Sequence, residues 1–414
     1  MASRRHDIKS EITSWLSEAL KNDDLQDLSV NILGNTEKGD GYMGDIMFVH
    51  AMGTTKQDPS KEYNLVLKCS KRSQALRETI PVERTFLTEM SVYNSVIPTF
   101  VKFQKDRGIR TPFDSVPKCY GTFTGENVEV IVFENLKKDG YDLWPKKDPV
   151  TRRHLEMVVS EYGKFHAISV AMREQQSNKF SELTNLLGDH FKEFVEATDF
   201  VNLFEKMIDE TYELLKNDLD ERILNKWKDF KKQVHYVLVE MLENIDGLKV
   251  IIHGDCWNNN YMYKFENGNC NVPLKVAILD WQVSRYSSPI LDLSYYILGC
   301  ISEKELEYLD EILITYYHSF TDQLKQLGID DPEVLYPLQQ FLDEWKKYCK
   351  FGVMLAALVM KVCATDKDEV VDLDDFAEKG EDISNTFLNE IKDKDTFRKR
   401  LRPIVEYAVT HELI

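Results

Sequence analysis

Residues 250–263 read Val-Ile-Ile-His-Gly-Asp-Cys-Trp-Asn-Asn-Asn-Tyr-Met-Tyr, a polar loop between two apolar runs. The apolar runs predict two short strands that hold the loop at the edge of a core. Asp255 and Asn260 are five residues apart and can converge on one point from such a loop. Phosphoryl transfer needs a carboxylate that accepts the proton of the attacking hydroxyl, and oxygen ligands for Mg²⁺. The alternative is an ordinary turn rich in Asn and Asp.

A second carboxylate follows an apolar strand predicted over residues 275–279. The sequence there reads Val276-Ala-Ile-Leu-Asp-Trp-Gln282, so Asp280 comes at the end of the strand. A carboxylate in such a position must be paired, capped or metal-bound. A turn or helix-cap aspartate is the alternative. Because both segments are present, we predict that Asp255 is a catalytic base and that Asn260 and Asp280 bind Mg²⁺.

Lys68 lies in the strand-like run 63–69, where Leu65 and Leu67 share one face and Lys68 points to the other. A lysine there is either at a solvated edge or directed at an anion. Glu89 falls on the apolar face of a predicted helix, where an acid needs a partner. We therefore predict that Glu89 holds Lys68 against nucleotide phosphates, and we rank Glu83 lower because it falls off that face.

Glycines precede Lys68 in the segment Gly39-Asp-Gly-Tyr-Met-Gly44. Glycine lets the backbone approach phosphate groups closely, so Gly39 and Gly41 are candidate nucleotide-binding residues. A plain hairpin turn is the alternative. Other polar residues have structural interpretations: His253 is a loop brace, Asp292 a cap or a loop brace, and His166 a core histidine.

The order of elements predicts an α+β fold with a small sheet lobe followed by a large helical lobe. The predicted domains are an N-terminal nucleotide-binding lobe (1–133), a hinge (134–140) and a C-terminal catalytic and substrate-binding lobe (141–414). Predicted strands cover 28–33, 45–51, 63–69, 128–133, 249–252, 261–265 and 275–279. Predicted helices cover 8–22, 82–97, 151–171, 190–217, 220–245, 291–326 and 333–363.

Composition limits the possible partners. Asp and Glu number 70 against 52 Lys and Arg, a formal net charge of -18, which disfavours nucleic acid and anionic membrane surfaces. Seven cysteines without paired spacing indicate reduced thiols rather than disulfides or a zinc site. With no visible signal peptide or membrane span, we expect a cytoplasmic protein, and a monomer whose ligands are small molecules.

These motifs together resemble the aminoglycoside phosphotransferase and choline kinase superfamily, and within it the ecdysteroid kinase-like family of arthropods. The resemblance rests on the segment from His253 to Asn260, on Leu279-Asp-Trp-Gln282 and on Asp292-Leu. It also includes Glu134-Asn-Leu136 with Gly140-Tyr141, and Gly163-Lys-Phe-His-Ala167. It extends from about residue 30 to about residue 360 by element order.

The resemblance implies a two-lobed protein-kinase-like fold and the cofactors ATP and Mg²⁺. It implies the same roles for Lys68, Glu89, Asp255, Asn260 and Asp280. Residues Glu134 to Leu136 are similar to the hinge that binds adenine through its backbone. Only eleven residues separate Asp280 from Asp292, which is too short for the activation segment of a protein kinase.

We therefore expect a phosphotransferase that acts on a hydroxyl of an ecdysteroid or a related apolar small molecule. One alternative is a detoxification kinase for plant phenols, glycosides or other xenobiotics. Two others are a choline or sugar kinase and a catalytically dead nucleotide-binding protein. Aromatic and apolar residues such as Trp345, Tyr348, Phe351 and Met354 are candidates for the acceptor pocket, although core packing explains them equally well.

Overall fold

A computed structural model of the protein describes residues 2–35, 44–188, 191–266, 268–370, 373–379 and 384–414. The fold is α+β: an antiparallel sheet with a few helices forms a small lobe, and a mostly helical large lobe follows. The predicted fold class is confirmed.

The small lobe is a twisted sheet whose strand order is β1-β2-β3-β5-β4 within the described residues. Its strands are β1 (Gln26–Asn35), β2 (Gly44–Thr54), β3 (Lys61–Ser70), β4 (Cys119–Gly125) and β5 (Val128–Glu134). Its helices are α1 (Ala2–Ala19), α2 (Gln74–Thr79), α3 (Val82–Ser91) and α4 (Ile97–Lys105). Leu65 and Leu67 are buried on the same side as Trp15 of α1, whereas Lys68 lines a cavity on the opposite face, as alternation along β3 requires.

The large lobe contains two short sheets that present the polar loops. Its strands are β6 (Tyr141–Leu143), β7 (Val250–Ile252), β8 (Tyr261–Glu266), β9 (Asn269–Ile278) and β10 (Arg285–Ser287). Strand β8 lies between β6 and β9, and β7 pairs with β10. The loop with Asp255 therefore leaves β7 and enters β8, beside the end of β9.

Helices enclose these sheets and form one continuous apolar core with them. The first are α5 (Arg152–Gln175), α6 (Ser177–Leu187), α7 (Phe191–Ala197), α8 (Phe200–Leu215), α9 (Glu221–Phe230), α10 (Met241–Glu243) and α11 (Pro289–Cys300). Next come α12 (Glu303–Leu306), α13 (Leu309–Gln326), α14 (Pro332–Leu335), α15 (Leu338–Tyr348) and α16 (Lys350–Ala364). The last are α17 (Leu373–Lys379), α18 (Ser384–Leu388) and α19 (Lys394–Thr410).

Several predicted helix boundaries are wrong. The helix predicted over 82–97 does not end there, because a π-helical turn at Val92–Val96 leads into α4, which ends at Lys105. Pro98 falls in the first turn of α4, where no backbone N–H is needed. The helix predicted over 291–326 is interrupted after Cys300, and Ser302 caps the N-terminus of α12. The helix predicted over 333–363 is interrupted at Pro337, which precedes α15.

In the part of the chain that the structure describes, no helix is both long enough and apolar enough to cross a bilayer. All seven cysteines are free thiols, and Cys69, Cys300 and Cys363 are buried.

Candidate active site

Lys68 lies between two carboxylates at the interface of the lobes. Its Nζ donates to Glu89 Oε2 at 2.6 Å and to Asp280 Oδ1 at 2.6 Å. Burial alone would lower the pKa of Lys68, but the charges of Asp280 and Glu89 outweigh it and raise the pKa above its usual range. Lys68 is therefore a charged amine, fixed in position and 8% exposed.

Glu89 reaches Lys68 from α3 and is 1% exposed. Burial raises the pKa of Glu89, and the ammonium of Lys68 opposes this effect. Glu83, which lies on the same helix, is exposed. The structure thus pairs Lys68 with the acid on the apolar face of α3.

Asp255 lies in the loop between β7 and β8 and is half-buried. Its Oδ1 accepts a hydrogen bond from the Tyr295 hydroxyl at 3.0 Å, and its Oδ2 accepts one from Asn260 Nδ2 at 2.9 Å. Burial, and next the charge of Asp280, raises the pKa of Asp255 to about 7. The carboxylate is thus oriented by two neutral donors, and its proton affinity suits a base at neutral pH.

Asp280 follows β9 by two residues and has a left-handed backbone conformation, with φ of 63°. Aspartate tolerates this conformation better than most residues. The neighbouring Leu279 N–H donates to the carbonyl of Asn260 at 2.8 Å, which ties the end of β9 to the loop with Asp255. Asn260 and Asp255 are therefore joined by their side chains, and the backbone brings Asp280 close to both.

Asp292 fixes the start of the loop. It is fully buried at the N-terminus of α11, and its carboxylate accepts the backbone N–H groups of His253 at 2.7 Å and Gly254 at 2.8 Å. His166 Nε2 lies 3.2 Å from the same carboxylate. The structure therefore gives Asp292 the role of a loop brace, and His166 is a core residue that supports it.

His253 links the loop to the end of β9. Its Nε2 lies 2.7 Å from the Leu279 carbonyl, so Nε2 carries the proton, and Nδ1 can accept the Asp255 N–H at 3.2 Å. Burial lowers the pKa of His253, which keeps the ring neutral. His253 is thus a brace rather than a base.

A cavity of about 190 Å³ lies between the sheet of the small lobe and the end of β9. Lys68, Glu89, Asn260 and Asp280 form its polar end. The rest is mostly apolar and includes Ile46, Phe48, Val66, Tyr93, Pro117, Phe133, Leu136, Leu143, Met262 and Leu279.

Residues Glu134 and Leu136 both line this cavity. Glu134 ends β5, and its Oε1 accepts the Lys118 N–H at 2.7 Å. The next residue, Asn135, donates its N–H to the Asn64 carbonyl at 3.0 Å. The segment between the lobes is therefore hydrogen-bonded to the small lobe.

Gly39 and Gly41 lie outside the described residues. Gly44, at the start of β2, is described: a Cβ there would lie 2.7 Å from the Cys69 carbonyl and 2.8 Å from the Phe86 ring. A side chain at position 44 would therefore require the backbone of Cys69 or the ring of Phe86 to move.

A sequence model of the ecdysteroid kinase-like family matches residues 38–329, most of the chain. The chain belongs to the ecdysteroid kinase-like family. The predicted family is thus confirmed, and the match supports the predicted class of enzyme, a small-molecule phosphotransferase.

The similarities to individual proteins are weak. A 52-residue segment is 33% identical to 4-hydroxytryptamine kinase of Psilocybe cubensis, but it covers 13% of this chain and 14% of that protein. Glucosamine kinase in one crystal form aligns over 93% of this chain and 95% of its own, at 9% identity and a TM-score of 0.33. Glucosamine kinase with glucosamine, ADP and inorganic phosphate aligns over 93% and 94%, at 9% identity and a TM-score of 0.32.

A second cavity of about 200 Å³ borders Asp255, and sequence reasoning missed it. Among the residues that line it, Gln282, Thr85 and Thr198 are polar and uncharged. Most others are aromatic or aliphatic: Ile80, Phe191, Phe194, Phe200, Trp257, Val283, Tyr295, Leu355, Leu358, Val359, Val362, Leu373 and Phe387. The candidates Trp345, Tyr348, Phe351 and Met354 line neither cavity and are buried in the core instead.

Proposed function

We propose that this member of the ecdysteroid kinase-like family is an ATP- and Mg²⁺-dependent kinase for a hydroxyl of an ecdysteroid or a related apolar small molecule. The observation that carries the proposal is the position of Asp255. It borders the apolar cavity, and it is hydrogen-bonded to Asn260, which lines the polar end of the other cavity.

In this proposal the cavity under the sheet binds ATP. The adenine lies among its apolar residues and contacts the backbone of Glu134 and Leu136, which belong to the hinge (134–140) between a nucleotide-binding lobe (1–133) and a catalytic lobe (141–414). Lys68 contacts the phosphates, and Glu89 holds Lys68 in place. Gly39 and Gly41 remain candidates for backbone contacts with the phosphates.

Asn260 and Asp280 fit a magnesium site. Asn260 Nδ2 donates both to the Asp255 carbonyl and to Asp255 Oδ2, so Oδ1 is the atom left to bind a cation. Within the described residues, no group of three or more His, Cys, Asp or Glu side chains could hold a metal ion. One carboxylate and one amide, together with phosphate oxygens and water, match the way Mg²⁺ accompanies nucleotides, where it offsets phosphate charge.

Asp255 acts as the general base. The acceptor hydroxyl lies in the apolar cavity and gives its proton to the Asp255 carboxylate as its oxygen attacks the terminal phosphorus of ATP. A new O–P bond forms, the bond from that phosphorus to the ADP oxygen breaks, and ADP leaves with that electron pair. Tyr295 and Asn260 keep the carboxylate in the required orientation.

The apolar cavity supports an acceptor with a large apolar surface rather than a free sugar. Aromatic residues in its lining favour a second candidate acceptor, a phenol or other hydroxylated aromatic xenobiotic. Both acceptors use the same base and the same phosphoryl donor.

The test is a measurement of ADP release from ATP and Mg²⁺ with steroids, plant phenols, glycosides and choline as acceptors. We expect turnover with apolar alcohols and a higher Mg²⁺ requirement in Asp280→Asn. The exposed carboxylate variant Asp310→Asn serves as the control. Nucleotide binding without turnover of any acceptor would instead indicate a catalytically dead binding protein, and preferred turnover of choline or a glycoside would overturn the apolar acceptor.

A further inference from the structure

Gln282 lines the apolar cavity and carries a buried polar atom. The residue comes two positions after Asp280 and lines the cavity together with Asp255. Its Oε1 is buried and has no hydrogen-bond partner among the described residues. A buried acceptor without a partner is unfavourable, so native proteins rarely keep one that no ligand or water satisfies.

Thr85, Thr198 and Asp255, which also line this cavity, are already hydrogen-bonded. Thr85 Oγ1 donates to the Val82 carbonyl at 2.8 Å, and Thr198 Oγ1 donates to the Phe194 carbonyl at 2.6 Å. Asp255 accepts from two side chains, as described above. Among the side chains that line the cavity, Gln282 is therefore the one that has a buried acceptor without a partner within the described part of the chain.

The backbone around Gln282 is fixed by a turn. Ser284 N–H donates to the Trp281 carbonyl at 3.2 Å, and the Trp281 indole N–H donates to the Ile278 carbonyl at 3.2 Å. Ser284 Oγ also donates to the carbonyl of His253, beside the loop with Asp255. Gln282 is thus presented from a rigid segment, which makes it suitable for recognition.

We propose that Gln282 Oε1 accepts a hydrogen bond from a second hydroxyl of the acceptor, so that the preferred acceptor is an apolar molecule with at least two hydroxyl groups. This inference rests on the proposed kinase function. One hydroxyl is phosphorylated at Asp255, and the other is recognised by Gln282. Analogues that lack the second hydroxyl leave the amide oxygen unpaired and are disfavoured.

The experiment compares acceptors that share one scaffold. The probes are estradiol and propylcatechol, each with its two monodeoxy analogues and the corresponding monomethyl ethers. The hydroxyls are adjacent in propylcatechol and at opposite ends of estradiol, so the fixed positions of Asp255 and Gln282 can match only one of the two. For that diol we expect the wild-type kcat/KM to exceed that of the better monodeoxy analogue by about ten- to a hundredfold. The ether at the recognised position should be as poor as the deoxy analogue, because it has no hydrogen to donate.

Two variants assign this preference to Gln282. In Gln282→Leu the ratio of the two kcat/KM values should fall towards one, while Gln282→Glu, which keeps an acceptor oxygen, should retain a preference. The ratio is taken within one preparation, so partial misfolding does not alter it. A wild-type ratio near one for both diols, a preference for the ether or an unchanged ratio in Gln282→Leu would overturn the inference while leaving the kinase function intact. No turnover of any alcohol by the wild type would overturn the proposed function and the inference together.

Discussion

Lys68 is shared by two carboxylates that come from different lobes. Glu89 belongs to the small lobe and Asp280 to the large lobe, and each accepts a hydrogen bond from the same ammonium. In the proposed complex with ATP, Lys68 would contact phosphate while Glu89 keeps it in place. The ion pair with Glu89 is therefore expected to matter for both stability and nucleotide binding.

Glu89→Gln tests this pairing. The substitution removes one of the two carboxylates that compensate the buried ammonium of Lys68, while Asp280 remains. We therefore expect a loss of about 2–3 kcal/mol in unfolding free energy, less than for a buried charge left without any partner. We also expect ADP to bind about tenfold more weakly, as measured by calorimetry. Glu83→Gln changes an exposed acid of the same helix and should alter neither quantity. Equal effects of the two variants would contradict the assignment.

The charged and amide residues of the candidate active site could be proposed from sequence, because each follows a strand or interrupts an apolar face. Lys68, Glu89, Asp255, Asn260 and Asp280 all have this kind of position, and the fold brings them together. Tyr295 and Gln282 had no such signal. Tyr295 lies on a helix that is buried on all sides, and only the structure shows that its hydroxyl reaches Asp255.

At the scale of elements, α11 connects the site to the core. It carries both Asp292 and Tyr295, and it packs closely against α16. Gly352 of α16 makes this approach possible, because a Cβ there would lie 2.3 Å from the carbonyl carbon and oxygen of Ser294. The position of α11 therefore depends on a glycine in the neighbouring helix.

Gly352→Ala should separate these helices. We expect about 1–3 kcal/mol of destabilisation and a lower kcat, because Asp292 and Tyr295 would shift with α11. Gly299→Ala, at the same helix pair, is the matched control: its Cβ would meet Val359 at 3.5 Å, an ordinary contact, and alanine favours the helix. Thermal unfolding and turnover of the two variants give the comparison. A Gly352→Ala protein as stable and active as the control would refute this account of the α11–α16 contact.

His154, near the start of α5, should make the fold sensitive to acid. Burial lowers the pKa of His154 from its ordinary 6.5 to about 4. As the pH falls from about 6.5 towards 4, the unfolded chain therefore takes up a proton that the folded protein resists, and stability is lost over this range.

The check compares the melting temperature at pH 7 and pH 5. On acidification the melting temperature of the wild type should fall more than that of His154→Gln, because glutamine does not titrate. An identical loss in both proteins would show that His154 does not contribute to the acid sensitivity.

Helices and strands could be predicted from the sequence where the periodicity of apolar residues is strong. They could be predicted less well where several short segments follow one another. The strands around Lys68 and Asp255 follow from apolar runs. Strand β4 was missed, because its sequence alternates weakly and contains Gly121, against which the backbone of Ala19 packs. Helix α19 was also missed, because it is rich in charge and contains Pro403.

At the scale of the whole molecule, the C-terminal part of the chain reaches back to the small lobe. Helix α17 packs against α2, and Asp374 Oδ2 lies 3.3 Å from Lys71 Nζ. Leu373 of α17 and Phe387 of α18 line the apolar cavity. The proposed acceptor site therefore combines both lobes and the C-terminal segment.

Leu373→Ala should weaken acceptor binding without affecting the nucleotide. We expect the acceptor KM to rise about three- to tenfold, because part of an apolar wall is removed. The ADP dissociation constant should stay unchanged, and Leu338→Ala, at an exposed leucine of α15, should alter neither value. An unchanged acceptor KM would remove α17 from the acceptor site.

The fold class and the family could be predicted from the sequence because the chemistry lies in short motifs in a fixed order. The apolar cavity could not. Its walls come from segments that range from Ile80 to Phe387, and each apolar residue there has the periodicity of ordinary core packing.

Transfer of the terminal phosphate of γ-labelled ATP to an apolar diol, followed in the wild type and in Asp255→Asn, tests the central claim most directly. The account predicts labelled acceptor with the wild type and a decrease of about a hundredfold or more in the variant, which should still bind ADP. Labelled acceptor formed at equal rates by the two proteins would contradict the role of Asp255, and no labelled acceptor with any apolar alcohol would contradict the kinase itself.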